Sequence, residues 1–191
     1  MRRRLVLKGA LTLGAAVAFP SYAQMTEPLK RGIRVPSGED RFRKHAPIGA
    51  SRVIDFKVSG RDTGGRWCSI DAAWHGTGGP PLHVHHDQEE WFYVIEGDYV
   101  FQIGDEKFRL TTGDCALAPR QIPHAFVHVR EQPARILTVF QPAGDIENFF
   151  REYGKLTGAT PDQARQFYKS HGLDLLGPPL DVAAMLAYFE S

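Results

Sequence analysis

The stretch from Pro80 to Gly97, PPLHVHHDQEEWFYVIEG, places three of the chain's eight histidines within four positions. In an extended strand, residues two apart share a face, so His83 and His85 project together and Val84 points the other way. Two neutral imidazoles side by side begin a metal site, because imidazole is the commonest metal ligand among side chains. One carboxylate and one further imidazole complete a mixed nitrogen and oxygen shell suited to Fe, Mn, Ni, Cu or Zn. Glu90 opens the next apolar run, and His124 follows the turn PRQIP in a later one. Antiparallel pairing can bring all four to one point inside a barrel. Plainer readings exist: a lone histidine in an apolar strand is commonly a hydrogen-bonded core residue, and an HxH pair between Gly/Pro turns can decorate a surface. Glu89 has the opposite strand phase and is expected to face outward. His86 points away from the HxH face, with support of a ligand imidazole as the alternative. His128, four residues after His124, shares its face and either lines the pocket or caps the barrel mouth.

These residues need elements to hold them. From residue 51 to 142 short apolar runs alternate with turns. The runs are 53–58, 67–74, 91–95, 99–103, 108–110, 115–118, 125–129 and 135–140, rich in Val, Ile, Phe, Tyr and Trp as strands should be. Gly64-Gly65, Gly78-Gly79-Pro80-Pro81, Gly97-Asp98, Gly104-Asp105 and Gly113-Asp114 supply the breaks. Regular short strands predict an antiparallel sandwich or barrel. One parity of each strand must face inward, so the aromatics Trp67, Trp74, Trp91, Phe92, Tyr93, Tyr99, Phe101 and Phe126 supply core and lining. That lining suits a planar, aromatic or apolar substrate better than a sugar phosphate, for which inward Arg and Lys are expected. Residues 24–50, rich in Pro, Gly and charge, read as an extended amino-terminal arm. Residues 143–191 read as helices packed on the barrel. The first is capped by Asp145 and carries Ile146, Phe149, Phe150 and Tyr153, the second begins near Pro161-Asp162, and the third runs from about Leu180 to Phe189. HGLDLLGPPL between the last two reads as an extended linker.

The chain has 191 residues, 42% apolar and 24% charged, which suffices for one domain with a core and argues against disorder. Residues 1–23 stand apart: a basic start, an apolar stretch from Ala10 to Phe19 and the ending Ser21-Tyr22-Ala23 make the three-part layout of an export signal. The apolar stretch is too short to span a bilayer comfortably, so no stable membrane anchor is expected. Arg3-Arg4-Leu5-Val6-Leu7-Lys8 resembles the twin-arginine signal, with an ordinary Sec-type signal as the alternative. Either route predicts a periplasmic or secreted protein. Cleavage after Ala23 removes Arg2, Arg3, Arg4 and Lys8 and no acid, turning a formal charge of +1 into −3. Nothing basic remains to suggest nucleic acid. Cys68 and Cys115 both fall in predicted strands, where free thiols and a disulfide remain alternatives.

The spacing of these groups resembles the cupin family. His83-x-His85 is followed after four residues by Glu90 and after six more by Gly97, which is that family's first motif. In GDCALAPRQIPHAFVH, Gly113, Pro119 and His124 align with the second. Gln121 stands where that motif has a glycine and His128 where it has an asparagine. The glycine that opens the first motif is displaced, with Gly78 and Gly79 one and two places late. The resemblance implies a single jelly-roll β-barrel, mainly β, with His83, His85, Glu90 and His124 as ligands of one divalent transition metal. Sheet-edge pairing into a homodimer is an assembly it allows. Together with PAGDIENFFREYG and GLDLLGPPL, the barrel is similar to small single-domain proteins like quercetin 2,3-dioxygenase. That implies an oxygenase of a small planar or enolic, flavonol-like substrate, with dioxygen as partner and Glu90 as ligand or as the base that takes the substrate proton. Cupin barrels also host binding proteins and isomerases, and the fold alone does not choose among them.

Overall fold

A computed structural model describes residues 27–48 and 52–190. The stretch 1–23, read as an export signal, lies outside the described residues. The remainder folds as two antiparallel sheets, with strands numbered in chain order. The first sheet runs β1 (Ala46–Ile48), β2 (Arg52–Val58), β3 (Cys68–Trp74), β10 (Ala134–Gln141), β5 (Glu89–Glu96), β8 (Cys115–Ala118). The second runs β11 (Leu173–Pro179), β4 (Pro81–His85), β9 (His124–His128), β6 (Asp98–Ile103), β7 (Glu106–Thr111). This is the antiparallel jelly roll that the strand pattern and the resemblance led one to expect.

Strand parity sorts the aromatics. Along β5, Glu90, Phe92 and Val94 are buried between the sheets, whereas Trp91 and Tyr93 stack on each other outside, ring centroids 6.0 Å apart. Trp74, Tyr99, Phe101 and Phe126 fill the core, while Trp67 is exposed and takes no part in the lining. The interior aromatics pack largely edge to face, as Phe92 and Phe101 do at 5.0 Å and 64°. Strand β9 is buried on both faces. Its Val127 and the neighbouring Val100 and Val129 are covered by Leu180, Val182, Met185 and Leu186, the last three on helix α3 (Val182–Glu190). Gly79 lets the Gly-rich turn lie against β9, since a Cβ there would sit 1.7 Å from the Phe126 carbonyl oxygen.

The termini differ from the sequence reading in detail. Within the range read as an arm, Asp40 is buried and accepts hydrogen bonds from the Phe42, Lys44 and Phe56 amides, which ties the lead-in to β2. Helix α1 (Ile146–Glu152) begins after Asp145, but that carboxylate does not cap it; it pairs with Nδ1 of His171 at 2.5 Å. A short 3₁₀ turn over Tyr153–Leu156 follows. Helix α2 (Pro161–Ser170) carries a reciprocal cap between Thr160 and Gln163, with Pro161 in its first turn. The segment read as an extended linker forms strand β11, which hydrogen-bonds along β4 through Leu173↔His85 and Leu175↔His83. Cys68 is buried and Cys115 is exposed, and both are free thiols.

Candidate metal centre

Sheet register sets the four candidate side chains facing one another. His83 and His85 leave the same face of β4, and His83 is directly opposite His124 on β9. Glu90 comes from the other sheet, at the start of β5, where its neighbours are Phe140 and Ala118. All four are buried, and one ligand atom from each lies within 4.8 Å of the others. Oε2 of Glu90 is 3.0 Å from Nε2 of His124, 3.3 Å from that of His85 and 4.0 Å from that of His83. Ligands on bonds of roughly 2.1 Å stand roughly 3.0 Å apart when adjacent around an ion and roughly 4.2 Å when opposite. The spacing therefore suits a single metal ion.

The far side of each ring explains why it points inward. Nδ1 of His83 lies 2.8 Å from the Pro81 carbonyl, Nδ1 of His124 lies 3.0 Å from the Ile122 carbonyl, and Nδ1 of His85 lies 2.7 Å from Oε1 of Gln88. Each of these oxygens accepts, so each Nδ1 donates and each Nε2 presents its lone pair toward Glu90. Burial, followed by the neighbouring His124 and His85, lowers the pKa of His83 to about 3, which leaves it neutral at pH 7. Burial alone would raise the Glu90 carboxyl; when Nε2 of His124 and of His85 carry a proton, their hydrogen bonds and charge outweigh burial and hold it well below the usual range. A carboxylate ringed by three imidazole nitrogens requires a cation among them, either protons or a metal. The donor set fits a divalent transition metal.

The remaining candidates take other places. Glu89 faces outward and pairs with Arg120 at 3.0 Å, as its phase predicts. His86 is exposed and lies 3.2 Å from Asp174, so it supports none of the three imidazoles. His128 is fully buried on the far side of Phe126 from His124. Its Nδ1 donates to the Gly76 carbonyl at 3.0 Å, which fixes the glycine turn and settles its place away from the converging group. Gln121 holds a left-handed φ of 64°, the conformation that favours glycine at this turn, and its N–H donates to the His85 carbonyl at 2.7 Å.

Sequence reasoning missed two groups. Gln88 is one: its amide nitrogen donates to the Pro142 and Ala143 carbonyls at 2.7 and 2.9 Å, which orients its oxygen toward His85. Replacing Gln88 with leucine is expected to weaken metal affinity by roughly 10- to 100-fold with the fold retained, as read by chelator competition. Unchanged affinity would show that His85 needs no such anchor. The second is Arg52, which corrects the expectation of a lining without inward cations: it shares the inward phase of Ile54 and Phe56 and is buried. That parity was the available signal. A cavity of about 40 Å³ lies beside His83, His85 and Glu90, walled also by Arg52, Trp74, Phe140, Tyr153 and Tyr168. The carboxy-terminal helices thus supply part of its roof.

Residues 73–140 match the family model described as "Cupin domain", a span that includes all four converging side chains. An uncharacterised protein of Methanocaldococcus jannaschii is 33% identical over 61 residues, 32% of this chain and 49% of that protein. The chain therefore spans about half the length of the curated relative it matches. Among solved structures, KdgF from Halomonas sp. superposes with a TM-score of 0.49 at 17% identity, covering 55% of this chain and 90% of that one. An RmlC-like cupin from Shewanella frigidimarina gives 0.46 at 17% identity, covering 55% and 87%.

Proposed function

We propose, taking residues 73–140 as a cupin domain, that the chain is a metal-dependent oxygenase of a small enolic substrate, with His83, His85, Glu90 and His124 as the ligands. One observation carries this reading: three Nε2 lone pairs, each fixed by an acceptor behind its ring, meet a buried ionised carboxylate at ligand spacing. When bound, a divalent transition metal would supply Lewis acidity toward a substrate oxygen and, if redox-active, electrons for dioxygen chemistry. The chain's own residues do the rest. The three imidazoles and Glu90 would hold the ion, and the cavity that His83, His85 and Glu90 line would take the substrate. Glu90 receives the proton of the enol on a carboxylate oxygen that the metal would not hold. Phe140, Trp74 and the helix residues Phe149 and Phe150 keep bulk water away from the reacting carbon. The narrow cavity favours the small, enolic end of the expected substrate range over molecules of flavonol size.

The test combines elemental analysis of the full chain with oxygen uptake across a panel of small enediols, enolisable oxo acids and flavonols. Iron, manganese, nickel or copper together with oxygen consumption by a small enolic compound is expected. Zinc as the bound metal and no oxygen uptake would overturn the oxygenase reading, since zinc is redox-inert. Rearrangement of a panel member without oxygen uptake would move the chain to the isomerases.

A further inference from the structure

Among the described residues, the interior charges nearly all have partners. Asp71 pairs with Arg135, Asp55 with His45, and Asp62 with Arg41 at 3.0 Å. Arg52 is the exception. It is only 9% exposed, its Nε has no hydrogen-bond partner, and no carboxylate forms an ion pair with it. The guanidinium lies 4.5 Å from the centre of the Trp74 ring and 5.9 Å from that of Tyr153. The Tyr153 hydroxyl is itself 3.4 Å from that of Tyr168. Burial lowers the pKa of Arg52 below its ordinary value, against the offsetting influence of the two tyrosines and of Glu90. An arginine stays charged in proteins all the same, so the fold carries a desolvated cation whose Nε has no partner and whose neighbours are Trp74 and Tyr153 rather than a carboxylate. It carries it on the wall of the cavity that His83, His85 and Glu90 also line.

The geometry points to Arg52 as the anchor for a substrate carboxylate: the substrate is a small organic acid, its carboxylate on the guanidinium and its enolic or carbonyl oxygen toward the four-residue centre. The inference rests on the proposed function for the second half of that placement. A planar fork of donors matches a carboxylate in two parallel hydrogen bonds, which a lysine cannot reproduce. The aromatic faces of Trp74 and Tyr153 hold the guanidinium while the anion is absent. With the cation at one point and the ligand cluster at another, a short oxo acid has both its ends addressed inside a cavity of this size.

The experiment uses the full chain, metal-free and metal-loaded, with acetate and pyruvate as anionic probes and acetamide as the neutral control, read by calorimetry and melting temperature. Metal-free protein is expected to bind pyruvate saturably and acetamide not at all. Arg52→Met is expected to lose at least about tenfold in pyruvate affinity, and Arg52→Lys to fall between the two. Without probe, Arg52→Met is expected to melt at or above the unsubstituted protein, because an unpaired buried charge has been removed. Equal pyruvate affinity in Arg52→Met would overturn the assignment. So would a melting temperature well below that of the unsubstituted protein, which is the mark of a structural arginine. Metal content is measured in the same samples. Arg52-dependent pyruvate binding in a protein that takes up no metal would uphold the anion site and remove the oxygenase; metal and oxygen uptake with Arg52-independent binding would do the reverse.

Discussion

His124→Ala is expected to carry essentially no metal under conditions where the unsubstituted protein holds roughly one ion per chain. His124 is 2% exposed, its Nδ1 is fixed by the Ile122 carbonyl, and its Nε2 makes the shortest contact with Glu90, 3.0 Å. Its removal deletes one of three nitrogen donors and leaves the Glu90 carboxylate with fewer partners. The loss in metal affinity should therefore exceed the roughly 10- to 100-fold expected for a residue that only orients a ligand. Elemental analysis after gel filtration reads the occupancy, and far-ultraviolet circular dichroism confirms that the sheets remain. His83→Ala should behave alike, because His83 is the cross-strand partner of His124. Retention of stoichiometric metal by a folded His124→Ala protein would place the ion elsewhere.

Glu90→Gln separates holding from reacting. The amide has nearly the shape of the carboxylate and can donate to Nε2 of His124, so the metal-free fold should persist. Its carbonyl oxygen can still ligate, so metal occupancy at saturating metal should remain high. What it lacks is a basic oxygen, and loss of a positioned base costs roughly 10²- to 10⁴-fold in rate. Oxygen uptake with the substrate identified for the unsubstituted protein measures this, with occupancy determined in the same samples. Turnover within a few-fold of normal in metal-loaded Glu90→Gln would remove Glu90 as base.

The convergence of His83, His85, Glu90 and His124 was legible in the sequence through strand parity and the cupin-like spacing of two motifs. His83-x-His85 fixes a shared face by strand parity alone, and the offsets to Glu90 and His124 place each at a strand start. Parity also separates Glu90 from Glu89 and Phe92 from Trp91. What stayed hidden depends on contacts between distant segments. Gln88 acquires its role only through carbonyls at Pro142 and Ala143, more than fifty residues on. Arg52 is inconspicuous in the sequence because it precedes the apolar run Val53–Val58, and its surroundings come from Trp74 on β3 and Tyr153 in the 3₁₀ turn. Strand β11 lacks alternation because Gly177, Pro178 and Pro179 interrupt it, and its pairing with β4 supplies the order that its own sequence does not. For His128 the sequence left lining the pocket and capping the barrel mouth as alternatives, and the hydrogen bond to Gly76 holds the ring away from the four converging residues.

The most direct measurement is anomalous diffraction from crystals of the full chain loaded with manganese or iron. A single peak is expected between the two sheets, roughly 2.0–2.2 Å from Nε2 of His83, His85 and His124 and from a Glu90 oxygen. No peak among those four side chains, with metal instead at exposed groups such as His86 and Asp174, would contradict the account.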